Sequence, residues 1–68
     1  MAPLFVYLIL QNQSSAHTPM RQQQILQELE KEYKLRIERK ALSRLLHRLS
    51  NAQLPIRMDT TGGWFAQK

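Results

Sequence analysis

Basic and hydrogen-bonding side chains lie at helical spacing in the middle of this 68-residue chain. On a helix that turns about 100° per residue they share one side, and leucine and alanine residues fill the other. Arg and Lys donate hydrogen bonds to guanine and to phosphate, whereas Ser and His contact either a base or a phosphate. This pattern predicts a surface that contacts nucleic acid, formed by Arg39, Lys40, Ser43, Arg44, His47 and Arg48.

Positive charge is concentrated around these residues. The chain has 10 Lys and Arg residues, 5 Asp and Glu residues and a formal net charge of +5. Residues 34–57 hold seven of the basic residues and a single acidic residue, Glu38. An ordinary solvated helix face mixes charges of both signs, so a face almost without acids favours a polyanionic partner. The partner classes to consider are nucleic acid, an anionic membrane surface and an acidic protein.

Two further groups of residues are candidates for contacts with the phosphate backbone. Arg21 and Gln22 begin a predicted helix, where free N–H groups and the positive end of the helix dipole attract a phosphate. Arg57, Thr60 and Thr61 lie in a predicted hairpin, whose hydroxyl and N–H groups suit phosphate contacts that carry no sequence information. A plain solvated glutamine run is the alternative interpretation of residues 21–24.

Catalytic and metal sites are not indicated by the sequence. There is no cysteine, and His17 and His47 are the two histidines, which leaves too few ligands for a zinc site. Glu28 and Glu32, four residues apart, are typical of a solvated helix face. Ser43 and His47 have no nearby acid to orient the imidazole for nucleophilic catalysis. We expect no enzyme activity, no metal, no cofactor and no small-molecule substrate.

Apolar periodicity predicts three helices, over residues 3–13, 21–33 and 38–51. A short connection over 34–37 joins the second helix to the third. Glu38 is expected to accept N–H hydrogen bonds at the N-terminus of the third helix. The apolar arc predicted to anchor this helix to the core consists of Ala41, Leu42, Leu45, Leu46, Leu49 and Ala52.

Strand and turn signals follow the third helix and predict a β-hairpin over 55–66. The segment DTTGG, with two consecutive glycines, separates two short stretches with strand-forming patterns. Trp64 and Phe65 are neighbours on the second strand and face opposite ways, so at least one of them is expected in the core. The alternative is that these aromatic rings stack on unpaired bases.

The first predicted helix has no charged residue and is apolar on nearly all sides. Its segment LFVYLIL is far shorter than the ~20 residues needed to span a bilayer. No Lys or Arg precedes this segment, as a secretory signal peptide would require. Such a helix must be covered on more than one side. We expect a homodimer surface formed by Leu4, Phe5, Tyr7 and Leu8, and no membrane contact.

This order of elements predicts a single α+β domain over residues 1–68. Two helices joined by a short turn, the second with a basic outer face and a hairpin after it, are typical of a small winged helix-turn-helix. The three helices would be followed by a two-stranded β-hairpin wing. The third helix would be the recognition helix, since a helix about 10–12 Å across fits the ~12 Å major groove.

Residues 17–66 resemble the N-terminal DNA-binding domain of the WYL-type bacterial transcriptional regulators and the related DeoR-like helix-turn-helix group. The resemblance rests on the HTP segment at 17–19, the spacing of Ile25, Leu29 and Tyr33, the RKALSR segment at 39–44, the LPI step at 54–56 and the GGWF segment at 62–65. It implies that GGWF ends the wing and that the third helix contacts DNA through Arg39, Lys40, Ser43 and Arg44.

We therefore expect a cytoplasmic domain of a bacterial or phage-type transcriptional regulator that binds double-stranded DNA, either at specific sites or generally. One alternative is a winged-helix protein-interaction module whose basic face docks an acidic partner. Another is an RNA or single-strand binder that uses Trp64 and Phe65.

Overall fold

The computed structural model describes residues 2–67. The helices are α1 (Ala2–Gln13), α2 (Gln22–Tyr33) and α3 (Arg39–Asn51), and the strands are β1 (Ile56–Met58) and β2 (Trp64–Ala66). The two strands form an antiparallel sheet in which Ile56 pairs with Ala66 and Met58 pairs with Trp64. The predicted α+β architecture of three helices followed by a two-stranded hairpin is confirmed.

Within residues 2–67, one hydrophobic core joins all three helices and the hairpin. Leu42, Leu46 and Leu49 recur at intervals of four and three residues, so one side of α3 is buried and its other side is left to solvent. Trp64 is 1% exposed and brings the hairpin into the same core. The buried apolar side chains are Val6, Ile9, Leu10, Met20, Ile25, Leu29, Leu42, Leu46, Leu49, Ile56, Trp64 and Ala66.

Hydrogen bonds attach β2 to the chain segments that precede α2. The N–H of Met20 donates to the Trp64 carbonyl at 2.7 Å, and the N–H of Trp64 donates to the Met20 carbonyl at 2.7 Å, which forms an isolated antiparallel bridge. The buried hydroxyl of Ser14 accepts a hydrogen bond from the Ala66 N–H at 3.1 Å and donates one to the Leu10 carbonyl. These bonds hold β2 in place beside α1 and the linker that follows it.

The outer side of α1 is only partly covered. Phe5 stacks on Tyr33 of α2 with a ring-centroid distance of 4.3 Å and an interplanar angle of 8°. Leu4 is 46% exposed, and Tyr7 and Leu8 are half-buried. Within residues 2–67, no helix combines the length and the apolar character that crossing a bilayer requires.

The turn between α2 and α3 begins with a left-handed residue that is not glycine. Lys34 has a φ of 56°, and its N–H donates to the Glu30 carbonyl at 3.0 Å. The N–H of Leu35 donates to the Leu29 carbonyl at 3.2 Å, so the last carbonyls of α2 are satisfied as the chain reverses. Leu35 and Ile37 then pack against the core.

Replacing Lys34 by glycine is expected to raise the free energy of unfolding by about 0.5–1 kcal/mol, because glycine avoids the steric cost of a side chain in the left-handed region. The Lys34 side chain is exposed and forms no ion pair within residues 2–67, so its removal costs no contact there. Urea unfolding followed by circular dichroism measures the change. Lys31→Gly, inside α2, is the control and should destabilise by about 1 kcal/mol. A Lys34→Gly protein no more stable than wild type would contradict the prediction.

Several details of the helices differ from the sequence predictions. Ala41 and Ala52, predicted for the apolar arc of α3, are exposed, and Leu45 is half-buried. The buried stripe of α3 is narrower than predicted because its packing partners, α2 and β1, cover only one side of it. Glu38 precedes α3, but its carboxylate makes no capping hydrogen bond, so its expected acceptor role is wrong. Observed α1 begins one residue before its predicted start, whereas α2, α3 and the hairpin begin one residue after theirs.

Candidate nucleic-acid interface

None of the six α3 residues that the sequence predicted as nucleic-acid contacts belongs to the buried stripe of this helix. Since Leu42, Leu46 and Leu49 face the core, the side chains on the opposite side of the helix point to solvent. We call this opposite side the basic face. Its exposed members are Lys40, Arg44, His47 and Arg48, and Ser43 is half-buried at its edge. Arg39 is also exposed, but it lies three residues before Leu42 and seven before Leu46, so it borders the buried stripe at the start of α3.

Two shallow grooves run along α3, and Arg44 and Arg48 contribute to both. The polar groove also contains Ser43, His47, Asn51 and Ala52. The apolar groove lies toward the start of α1 and also contains Ala2, Ile37, Ala41 and Leu45. Asn51 was not among the predicted contacts, although its position four residues after His47 places it on the same side of the helix. That spacing was the signal that could have identified it.

The basic side chains of α3 are not neutralised within residues 2–67. The one ion pair in that part of the chain joins Arg36 Nε to Glu30 Oε2 at 3.1 Å, with both side chains exposed. Hydrogen bonding to Glu30, and then its negative charge, raises the pKa of Arg36. Glu28 accepts a hydrogen bond from Gln13 Nε2 at 2.7 Å. The basic face therefore keeps a positive field that is available to an anionic partner.

Metal ligands do not converge in the described part of the chain. Among residues 2–67, no three His, Asp or Glu side chains form a group that could hold a metal ion. The Arg, Lys and His side chains of the site donate hydrogen bonds and suit oxygen acceptors such as phosphate.

His47 is packed against the core even though it lies on the basic face. Its imidazole meets the ring of Trp64 edge-to-face, with centroids 5.1 Å apart and an interplanar angle of 87°. Trp64 is buried, and its Nε1 has no hydrogen-bond partner within residues 2–67. The expectation that at least one aromatic residue of β2 lies in the core is confirmed for Trp64. A ring buried to this degree cannot stack on a base, which removes Trp64 from the single-strand alternative.

The hairpin turn keeps a negative charge at its tip. The N–H of Asp59 donates to the Gly63 carbonyl at 2.7 Å, and the N–H of Gly62, whose φ is 92°, donates to the Asp59 carbonyl at 3.0 Å. Hydrogen bonds from the hydroxyl and then the N–H of Thr61 lower the pKa of Asp59. Thr60 and Thr61 are both exposed, but the Thr61 hydroxyl donates its hydrogen bond within the turn. An ionised Asp59 opposes phosphate contact at this tip.

Gly63 is required where the hairpin approaches the linker before α2. A Cβ atom at this position would lie 2.9 Å from the Cβ of Pro19, closer than van der Waals contact allows. The GGWF segment therefore has a packing role, because it lets Trp64 reach both the core and Met20.

The remaining predicted phosphate contacts lie beside the sheet. Arg57 is exposed on β1, and its Nη1 donates to the carbonyls of Leu54 and Ile56 at 3.2 and 3.0 Å, so part of the guanidinium is held at the base of the hairpin. Arg21 is exposed directly after Met20, and its N–H donates to the side-chain oxygen of Gln24 at 3.0 Å.

Gln22 is the first residue of α2 and is half-buried. Because Gln24 already accepts from the Arg21 N–H, one of the N–H groups at the start of α2 is satisfied within the chain. Arg21 still offers its exposed guanidinium, so its contribution to an anion site comes from the side chain.

Comparison with known proteins does not name a family for this fold. No protein-family model, curated protein or solved structure matches the chain. Three helices followed by an antiparallel two-stranded hairpin are compatible with a small winged helix. The resemblance to the WYL-type and DeoR-like regulators stays a prediction that rests on the residues quoted for it.

Proposed function

We propose that this chain is a winged-helix domain that binds double-stranded DNA with α3 in the major groove. The observation that carries the proposal is the basic face, where Lys40, Arg44, His47 and Arg48 are exposed. This face has no acidic side chain, and its residues form no ion pair within residues 2–67. A helix about 10–12 Å across fits the ~12 Å major groove, and its exposed side chains reach both phosphates and base edges. In this proposal the domain belongs to a cytoplasmic transcriptional regulator and has no enzymatic activity.

The hairpin has a smaller part in this proposal than the sequence suggested. Arg57 and the exposed Thr60 are suited to contact the phosphate backbone beside the groove, and Arg21 lies near the same sheet. Asp59 repels phosphate at the tip of the turn. The proposed hairpin contact therefore relies on Arg57 at the base of the hairpin more than on Thr60, which lies beside Asp59 in the turn.

Duplex binding is expected to weaken steeply with salt. Four phosphate contacts predict a slope of about −3 to −4 when the logarithm of the association constant is plotted against that of the salt concentration. Fluorescence anisotropy of a random-sequence duplex, titrated at about 50 mM and about 200 mM salt, measures this slope. A dT oligomer is the control for single-strand binding. Absence of duplex binding at the lower salt concentration would reject the proposal.

The apolar groove favours a second candidate function, the docking of an acidic protein segment. Ile37, Ala41 and Leu45 give this groove an apolar floor, and Arg44 and Arg48 supply its positive charge. An amphipathic segment with acidic and apolar side chains matches both features. An acidic amphipathic peptide added to the anisotropy assay separates the two functions. Peptide binding without duplex binding would favour the protein-interaction module.

We also propose that the outer side of α1 pairs with a second copy of the chain. Leu4 is exposed and Leu8 is half-buried, and α1 has no charged side chain, so the side chains of two paired α1 helices do not repel each other. Homo-oligomers with two-fold symmetry use such self-complementary patches.

Sedimentation equilibrium is expected to show a concentration-dependent rise from 8.0 kDa to twice that mass. The double substitution Leu4→Gln and Leu8→Gln should abolish this rise, since it replaces apolar contact area by polar groups. Met58→Gln is the matched control, because Met58 is 54% exposed but lies on β1. A wild-type protein that stays monomeric at millimolar concentration would reject the dimer.

A further inference from the structure

His47 differs from the other polar side chains of the basic face in being held by a tertiary contact. Its imidazole lies edge-to-face on buried Trp64, with ring centroids 5.1 Å apart, while remaining exposed. Lys40, Arg44 and Arg48 have no hydrogen bond or ion pair within residues 2–67 that would fix their side chains. The basic face therefore contains one oriented donor among several flexible cations.

An oriented side chain and a flexible one suit different DNA contacts, namely base edges and phosphates. A phosphate oxygen accepts hydrogen bonds from a wide range of directions, so long flexible cations serve it well. A base edge offers acceptors at fixed positions, and a side chain that is already oriented loses little conformational entropy when it binds there. Lys and Arg lose more, because each carries several rotatable bonds.

The hydrogen-bond donors and acceptors on the base edges indicate which base an oriented imidazole can recognise. Either tautomer of imidazole has an N–H donor, and the protonated form has two. In the major groove, guanine presents two neighbouring acceptors, N7 and O6, whereas cytosine presents a donor. Adenine shares N7 but adds an N6 amino donor, and thymine presents the single acceptor O4, so guanine is the base with two adjacent acceptors.

We propose that His47 determines base specificity by donating a hydrogen bond to the neighbouring N7 and O6 acceptors of a guanine, where an adenine would present its N6 amino donor in place of O6, and that Trp64 is its positioning residue. This inference rests on the proposed DNA-binding function. Lys40, Arg44 and Arg48 then contribute affinity that varies little with sequence. The polar groove, where His47 lies beside Ser43 and Asn51, receives the guanine edge.

Selection from a random duplex library, followed by 7-deazaguanine substitution, tests this assignment. The wild-type protein should select a site with a guanine, and replacing that base by 7-deazaguanine should weaken its binding roughly tenfold. His47→Ala should bind the unmodified site roughly tenfold more weakly and respond no further to 7-deazaguanine. Arg48→Ala should lose affinity for all duplexes alike and keep its response to the modified base.

A second variant separates hydrogen bonding from packing. His47→Phe keeps an aromatic ring against Trp64 but has no N–H, so it should fold like wild type and lose the preference for guanine. The fluorescence of Trp64, the single tryptophan, reports whether its surroundings are preserved.

The outcomes distinguish this inference from the function on which it rests. A His47→Phe protein that retains the selected site and its response to 7-deazaguanine would overturn the role of His47, and so would wild-type duplex binding without any base preference. Failure of the wild-type protein to bind any duplex would instead overturn the proposed function, and the inference with it.

Discussion

Substituting Arg44 by alanine is expected to weaken duplex binding by more than about 1 kcal/mol, which is a factor of about five or more at room temperature. Arg44 is exposed at the middle of α3 and contributes to both grooves of the basic face. Its guanidinium has no ion pair within residues 2–67, so it is available to a phosphate. Alanine favours helix formation, so α3 should remain intact.

Arg36→Ala is the matched control for this prediction. It removes the same charge from the chain, but Arg36 lies before α3 and is paired with Glu30. We expect the control to change affinity much less than Arg44→Ala, because long-range attraction alone is weakened by screening. Circular dichroism checks that both variants are folded. Equal losses for the two variants would show that net charge, not the position of Arg44, governs binding.

Trp64→Ala is expected to remove a large share of the free energy of unfolding. Truncation of a buried tryptophan costs about 3–5 kcal/mol, and a chain of this length has a free energy of unfolding of roughly 3–10 kcal/mol. Trp64 is 1% exposed, pairs with Met58 across the sheet and forms the backbone bridge to Met20.

Phe65→Ala is the control for Trp64→Ala. Phe65 follows Trp64 on β2, faces the other side of the sheet and is half-buried. Thermal unfolding by circular dichroism should show a well-defined transition for Phe65→Ala and none, or one at much lower temperature, for Trp64→Ala. A Trp64→Ala transition within a few degrees of wild type would contradict the burial of its ring.

The architecture could be predicted from the sequence because its signals are local. The apolar spacing of Ile25 and Leu29, and of Leu42, Leu46 and Leu49, selects helices with one buried side whatever their neighbours are. Two glycines between two short strand-forming segments indicate a hairpin. The predicted apolar arc of α3 was too broad, because its true width depends on which elements pack against it.

Which basic residues of α3 share one face could likewise be predicted from the sequence, since residues four apart lie on the same side of any helix. Their orientation and their partners were decided by the tertiary structure. The contact of His47 with Trp64, 17 residues later, exists because the hairpin folds back beneath α3.

The pairing of Met20 with Trp64 also depends on the tertiary structure, because the linker carries no strand signal. Local periodicity determines which side chains can share a face. Contacts between distant segments are set by the packing of the whole core, which is why only the tertiary structure distinguishes an oriented imidazole from the flexible cations around it.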